Sequence, residues 1–352
     1  MAYTCVDAFC GAGGLSLGLI RAGYQIVFSF DADSCCANTH LLNKKYFKHP
    51  CACVTVEKVL KDSKGFFSLN KKGLFLLAGG PPCQGFSVQR IGKDQDNRNG
   101  LVFNFVDLVS KLHPAYVLME NVPGIVGKRG IKIFEEAIDR IGKHGYWFHY
   151  KELDAQDYGV PQRRKRIFLI AERKDLGDPS FVFPTPFSRK ITVRDAIGHL
   201  PEPPEDGTDH PILVHHRRDR LSDLNKKRLS VLKEGQGREY LPTDLLPNCH
   251  KMDAGRIGHR FVYGRMIWDE VAPTITARFD SFTRGKFGHP DQLRTISLRE
   301  GALLQTFPKD FIFSGNKVDI ARQIGNAVPS KLAEVLGRQI ILCYKKKRRN
   351  DF

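Results

Sequence analysis

The sequence predicts an α/β protein, with one large domain built on a buried sheet and a smaller domain of irregular texture. Three observations lead there. Short apolar runs of strand length alternate with helical patterns over the first half of the chain. The first run passes through a glycine turn into a helix, and later runs stop abruptly at polar or reactive residues. From Pro184 onward prolines, histidines and charges dominate and the periodicity fades.

Thr4 to Phe9 reads as a buried strand, followed by Cys10-Gly11-Ala12-Gly13-Gly14 and a helical pattern at Leu15, Leu17, Leu19 and Ile20. That order opens a Rossmann-like unit, in which glycines let a ligand approach the backbone at a helix N-terminus. The spacing departs from the dinucleotide fingerprint: Ser16 stands where a third glycine or alanine belongs, and no Walker lysine follows. The next strand, Gln25 to Phe30, ends in Asp31, about 20 residues beyond the turn, where an acid can accept hydrogen bonds from ribose hydroxyls. Together they suggest an adenosine-bearing cofactor without a pyrophosphate requirement. Asn43 to Lys72 read as lysine-rich helices and connections.

The apolar run Leu74 to Ala78 ends at Gly79 and Gly80, and Pro81 and Pro82 then hold Cys83 at the tip of a stiff turn. A thiol placed after the run is presented rather than hidden, although inert burial is the commoner fate of a cysteine. With a free pKa of about 8.5 it needs a helix N-terminus or a nearby cation to act as a nucleophile. Val88 to Gly100 is polar and glycine-bearing, either a lid or an ordinary solvated loop, with Arg90, Lys93 and Arg98 able to follow a phosphate backbone. Leu101 to Leu112 reads as an amphipathic helix and Tyr116 to Met119 as a buried strand with Glu120 and Asn121 at its carboxyl end. Ligands in open α/β sheets gather at such ends, so Cys83 and Glu120 are expected to face one crevice.

Ile131 to Ile141 is a predicted helix, and Trp147 to Leu153 and Arg166 to Ala171 are predicted strands. Ahead of the last, Gln162, Arg164 and Arg166 alternate at strand spacing, which would point all three one way as donors for a base edge or phosphate. Gly255 to Gly288 interleaves aromatic, basic and glycine residues, with Arg256, Arg260, Arg265, Arg278, Arg284 and Lys286 available to phosphates or guanine edges. Ser297 and Glu300 have capping-box spacing before a helix. Gln323 to Pro329 reads as a turn leading into a helix near Ser330, and Lys345 to Asn350 as a disordered basic tail.

The 352 residues, 41% hydrophobic and 26% charged, are ordinary globular material. No apolar stretch approaches the roughly 20 residues that span a bilayer, and no signal-peptide pattern opens the chain, so a soluble intracellular protein is expected. Nine cysteines, an odd number, argue for reduced thiols rather than a disulfide framework. Cys35, Cys36, Cys51 and Cys53 lack the usual spacing of zinc ligands, and no metal is expected. The net charge of +17 favours a polyanionic partner, nucleic acid before membrane.

Taken together, the motifs DAFCGAGG (Asp7 to Gly14), GGPPCQGFS (Gly79 to Ser87), ENV (Glu120 to Val122), QRRKR (Gln162 to Arg166), RTISLREGALLQTFP (Arg294 to Pro308) and QIGNAVP (Gln323 to Pro329) resemble those of the DNA (cytosine-5)-methyltransferases of the bacterial modification type. They stand in the family's order and span nearly the whole chain. The resemblance implies a Rossmann-like S-adenosylmethionine-dependent methyltransferase domain over residues 1–187, completed by 318–352, and a target-recognition domain over 188–317. It implies methylation of cytosine C5 within a specific sequence of double-stranded DNA, with or without a companion restriction enzyme. Cys83 would add to C6 of a flipped-out cytosine, Glu120 would serve N3, Arg164 would contact O2 and Arg166 would support the site. Phe9, Gly11, Gly13, Asp31, Pro81, Leu101, Asn326 and Val328 would line the S-adenosylmethionine pocket. Gln84, Ser87, Arg98, Gln162 and the pair Thr274-Ile275 would meet DNA. One departure is visible: in HPCACVTV, Cys53 stands where the family commonly carries an aspartate that meets the adenine amino group.

A related branch methylates transfer RNA with the same cysteine and glutamate, but the long, arginine-bearing region between Pro184 and Pro290 favours duplex DNA. A DNA-binding module without turnover is disfavoured by intact Cys83, Glu120 and Arg164. No membrane partner is expected; the reading is of a monomer, cytoplasmic and on nucleoid DNA.

Overall fold

The computed structural model describes residues 3–62, 73–82, 100–247 and 262–350. It divides into two compact units, one comprising Met1–Tyr158, Lys165–Phe187 and Ala327–Phe352, the other Gly159–Arg164 and Ser188–Asn326.

The first unit is Rossmann-like. In chain order it contains β1 (Tyr3–Ala8), α1 (Gly14–Ala22), β2 (Tyr24–Asp31), α2 (Ser34–Leu42), β3 (Cys51–Cys53), α3 (Val56–Lys61), β4 (Leu76–Gly79), α4 (Gly100–Leu112), β5 (Tyr116–Asn121), α5 (Ile131–Lys143), β6 (Tyr146–Asp154) and β7 (Lys165–Arg173), closing with α10 (Ser330–Asn350). The seven strands are ordered β3-β2-β1-β4-β5-β7-β6. β1 to β5 pair in parallel, whereas β7 is antiparallel to both β5 and β6.

Local sequence accounts for these elements. β1, β4 and β5 are buried on both faces over most of their length, as expected where helices cover both sides of a parallel sheet. α4 buries Val102, Phe105, Val106, Val109 and Leu112, one stripe at helical spacing. α5 buries only Phe134, Ala137 and Ile141, so its other side is polar. The core joins these stripes to Val6, Phe30, Leu77, Val117 and Leu169 of the sheet. α10 packs on α1 through Leu332, Ala333, Leu336 and Ile340, all buried. There Tyr24 Oη donates to Gly337 O at 3.1 Å and Arg21 Nη1 to Ser330 Oγ at 3.0 Å.

Three sequence expectations are corrected here. Asn43 to Lys72, read from residue pattern as helices and connections, also contain a strand, β3, which is only three residues long and pairs with the end of β2. Lys345 to Asn350 continue α10 rather than forming a disordered tail, because the apolar face that anchors the helix runs on to Ile341 and Cys343. Gln323 to Asn326 are the last turn of a helix, not a turn before one. The reading of Val88 to Gly100 as a lid or loop falls, apart from Gly100, outside the described residues.

The second unit carries little regular structure: α6 (Val193–Ile197), α7 (Asp223–Ser230), α8 (Leu298–Leu304) and α9 (Lys317–Asn326), with isolated bridges rather than a described sheet. A small core gathers Leu229, Leu232, Leu241 and Phe282. With only isolated bridges among its described residues, the carbonyls of this unit need other donors, and buried arginines supply them. Arg265 donates to the carbonyls of Leu229, Leu232, His289 and Gln292, and Arg299 to those of Val214, Pro308 and Phe311. The availability of Arg265 to DNA is therefore corrected: its side chain is buried in this frame.

Ser297 caps α8 in the expected capping box with Glu300. Glu300 also receives both terminal nitrogens of Arg294 at 2.7 Å. Burial pushes the Glu300 carboxyl up, but the Arg294 charge and hydrogen bonds overbalance it and bring the pKa down to about 2. A folded pKa below the unfolded value means stability that is complete above pH 4.5 and is lost as pH falls towards 2. The shift corresponds to about 3 kcal/mol. In equilibrium denaturation against pH, Glu300→Gln is expected to be less stable at neutral pH by about 3–5 kcal/mol, since it leaves Arg294 buried and unpaired. Its stability should also be flatter across the acid window; an unchanged acid limb would show that another group carries it.

Candidate active site

The order of strands reverses between β1 and β4, so the carboxyl ends of these two strands flank the crevice where open α/β sheets take their ligands. The glycine loop leaves β1 there, and the Pro-Pro segment leaves β4.

Positive φ recurs through the loop, at Phe9 (57°), Gly11 (52°) and Gly13 (86°). For a bulky residue such as Phe9 this conformation costs about 1–3 kcal/mol and marks a backbone held for a purpose. Gly13 has no alternative, because a Cβ there would lie 2.5 Å from the Phe47 ring and 2.9 Å from His40 Nε2. Above Gly11, by contrast, a Cβ would meet nothing within 4 Å. Asp31 clasps the loop: Oδ2 accepts from Gly11 N and Oδ1 from Asp33 N, both at 2.9 Å. Each oxygen keeps a further lone pair. Burial raises the Asp31 pKa. Asp7, beneath the loop, is pushed up to about 7 by burial, against the hydrogen bond it accepts from Ser16 Oγ at 2.6 Å. β3 pairs Cys53 in register with Asp31, which places the residue that departs from the family pattern beside the ribose-binding candidate.

On the other side, Asn121 Nδ2 donates to Pro81 O at 3.1 Å and so ties the end of β5 to the Pro-Pro segment. Glu120 Oε2 stands over the same segment, 3.1 Å from the position a Cβ on Gly80 would take. Its other oxygen, Oε1, forms an ion pair with Arg166 Nε at 2.9 Å, while Arg166 Nη1 donates to Lys165 O at 2.7 Å. Both side chains are mostly buried, Glu120 12% and Arg166 16% exposed. Pro81 and Val328 are buried, and Leu101 lies half-buried in the first turn of α4. Cys83, Gln84, Ser87 and Arg98 lie outside the described residues, as do Arg256 and Arg260.

Gln162 and Arg164 do not share a strand with Arg166. β7 begins at Lys165, and the two earlier residues belong to the second unit. The Gln162 amide is fully buried, donating to Leu304 O and Gln305 Oε1 and accepting from Ile275 N, so it presents no donor to a base. Arg164 is 2% exposed and donates to Ile275 O at 3.0 Å and Gly325 O at 2.9 Å. Ile275 is itself fully buried, while Thr274 Oγ1 donates to Arg163 O at 2.7 Å. The expected base contacts at Gln162 and Ile275 are thus corrected to internal supports. Asn326 ends α9 as an exposed residue of the same unit. Arg278 and Lys286 pair with Asp280 and Glu239, and Arg284 is exposed. The support at Asn121 was not foreseen, although its place directly after Glu120 in ENV was a signal for it.

Fold and site together define a Rossmann-like α/β domain with a strand switch point between β1 and β4 and a carboxylate-guanidinium pair at the carboxyl end of β5. The chain belongs to the C-5 cytosine-specific DNA methylase family, whose model matches residues 3–342, and it is a DNA cytosine-5-methyltransferase. It is similar to the Type II methylase M.HgiDII of Herpetosiphon aurantiacus, 33% identical with 97% of this chain and 95% of that protein covered. The Type II methyltransferase M.MthTI of Methanothermobacter thermautotrophicus is 36% identical, with 94% and 95% covered. Among solved structures, a candidate DNA modification methyltransferase encoded within an E. coli prophage superposes with a TM-score of 0.70 at 27% identity, covering 98% of this chain and 100% of that one. The Entamoeba histolytica methyltransferase EhMeth shares the fold, with a TM-score of 0.63 at 16% identity over 98% of each chain. The family uses S-adenosylmethionine as methyl donor. Among the described residues no helix is long and apolar enough to cross a membrane.

The internal role of Arg164 is directly testable by thermal denaturation. Arg164→Met strands two buried carbonyls and is expected to cost about 2–4 kcal/mol, whereas Arg163→Met, at an exposed position, should stay within about 0.5 kcal/mol. Equal effects would show that the buried hydrogen bonds carry no particular weight.

Proposed function

We propose that this protein methylates C5 of cytosine at a specific site in double-stranded DNA, with Cys83 as nucleophile and Glu120 and Arg166 as the groups that meet the base. The observation that carries the reading is Glu120, held by Arg166 at 2.9 Å and set against Gly80, three residues before Cys83. The thiolate of Cys83 adds to C6 of the flipped cytosine, and the electron pair displaced from the C5–C6 bond makes C5 nucleophilic. Negative charge then grows on the ring, and Glu120 shares a proton with N3 to neutralise it. Arg166 orients the Glu120 carboxylate through the charge contact at Nε and, with Nη1 given to the Lys165 carbonyl, keeps Nη2 as a donor for O2. Loss of the C5 proton to a base restores the double bond and expels Cys83.

S-adenosylmethionine, when bound, supplies the methyl group. The residues present fit it: Gly11 leaves open space over the loop, and Asp31 keeps lone pairs for ribose hydroxyls. Phe9, Gly11, Gly13, Asp31, Pro81, Leu101 and Val328 are proposed to hold it. Cys53 takes the position of the missing aspartate and offers a weaker acceptor to the adenine amino group.

The first unit is read as catalytic and the second as the target reader, with Thr274, Arg278 and Arg284 among its partly or fully exposed polar groups. The protein is proposed to act as a monomer on cellular DNA, either beside a restriction endonuclease or alone as an orphan methylase.

A duplex carrying 5-fluorocytosine at the target cannot lose the C5 substituent and should trap a covalent adduct, seen as a denaturation-resistant band. Cys83→Ala should abolish it, and an adduct formed equally by the variant would refute the assignment. Glu120→Gln should slow adduct formation by about 100-fold or more, and Arg166→Gln should slow it in the same direction with little loss of melting temperature. DNA affinity should fall steeply with salt, as phosphate neutralisation releases counterions; a flat dependence measured by filter binding or anisotropy would count against a basic DNA face.

A further inference from the structure

Beneath the glycine loop lies a group of side chains that the methylation chemistry does not use. Cys10 follows β1, His40 sits in the last turn of α2 and Cys51 opens β3. The two sulfurs and a ring nitrogen of His40 all lie within 4.8 Å of one another. We propose that Cys10, His40 and Cys51 form a binding site for a thiophilic divalent cation of the zinc class, clipping the base of the glycine loop to α2 and β3.

The distances favour a metal over a disulfide. The sulfurs are 3.8 Å apart, far beyond the roughly 2.05 Å of an S–S bond. Two thiolates about 2.3 Å from a tetrahedral Zn²⁺ stand about 3.8 Å from each other. The sulfurs therefore already occupy one edge of the coordination tetrahedron.

His40 is the independent second observation. It is 2% exposed, yet neither ring nitrogen makes a hydrogen bond of ordinary geometry. A buried imidazole in that state is costly unless something meets it. The ring is fixed where it stands, stacked on Phe47 with centroids 4.3 Å apart and lodged under Gly13. A metal would satisfy one nitrogen without moving the ring.

The donor set also fits the burial. Soft sulfur and imidazole ligands select Zn²⁺ or Co²⁺ over Mg²⁺ and Ca²⁺. On binding, both thiols release their protons to solvent, and the two thiolates neutralise the dication, so no net charge is left in the interior. A water molecule would complete four-coordination. Local spacing of cysteines could not reveal this set, because its members come from three elements and neither Cys35, Cys36 nor Cys53 takes part.

The full-length protein, stripped with a chelator and kept reduced by a phosphine, is titrated with Co²⁺ and then Zn²⁺. One Co²⁺ per chain should bind with thiolate-to-cobalt charge-transfer and tetrahedral d–d bands, Zn²⁺ should displace it, and the melting temperature should rise with metal concentration. Cys10→Ser and Cys51→Ser should each weaken binding by more than the roughly 10–100-fold that loss of an outer-shell partner costs. Cys35→Ser and Cys53→Ser should bind as the parent does. Absence of the bands in folded parent protein, or their persistence in both Cys10→Ser and Cys51→Ser, would overturn the proposal. Should those variants fail to fold, X-ray absorption on the zinc-loaded parent decides: a shell of sulfur and nitrogen is expected, and one without sulfur overturns it.

Discussion

The direction of one strand governs where the chemistry can stand. β7 lies between β5 and β6 and runs antiparallel to both, so its first residues, not its last, meet the carboxyl end of β5. Glu120 pairs with Phe168, and Arg166, two residues earlier on β7, is its diagonal neighbour on the same face. A parallel strand in that slot would have carried its opening residues to the opposite edge of the sheet. The 2.9 Å contact between Arg166 and Glu120 is thus a product of topology before it is a product of side-chain choice. Asn121, next in sequence and facing the other way, fixes the Pro-Pro segment to the same strand end. Two successive residues of β5 therefore serve the candidate site, Glu120 as a carboxylate and Asn121 by holding the Pro-Pro segment.

The second unit solves a different problem. It has few ladders to satisfy its backbone, and arginine forks take over that task, each guanidinium offering several donors in a fixed plane to carbonyls that no strand meets. Arg164, Arg265 and Arg299 are buried on carbonyls, and Arg294 on Glu300. Such a frame is irregular yet specific, because each arginine dictates the path of several segments at once. It also changes the meaning of the net charge of +17. Part of that charge lies inside the unit as scaffolding, and only the exposed remainder can act on a polyanion.

How legible the molecule was in its sequence follows from the same physics. Strands flanked by strong signals were found: the apolar runs ending at Asp31, Gly79 and Glu120 correspond to β2, β4 and β5. Their ends carry the crevice, so its rim was legible with them. β3 was not, because three residues, two of them cysteines, give neither a run nor an alternation to read. Gln162 and Arg164 were misplaced because period-two spacing was extended back past Lys165, where β7 begins. A polar residue at strand spacing looks the same in sequence whether it faces a ligand or caps a buried carbonyl. Arg164 is accordingly a buried support on two carbonyls, while Arg166 stands beside Glu120.

The loop after β1 shows why some signals are visible only as departures. Phe9 takes a left-handed conformation that a bulky residue avoids, and it does so between β1 and two glycines that also have positive φ. The strain is sustained from below and from the side: Gly11 is drawn onto Asp31, and Gly13 is pressed against Phe47 and His40. Because His40 and Phe47 leave no room for a Cβ under Gly13, the loop cannot relax downward. Its freedom lies outward, over Gly11, where space is open. A backbone strained, clasped by a carboxylate and open on one side is prepared to close on a ligand rather than to reorganise for it, and the ordering cost of binding is thereby met during folding.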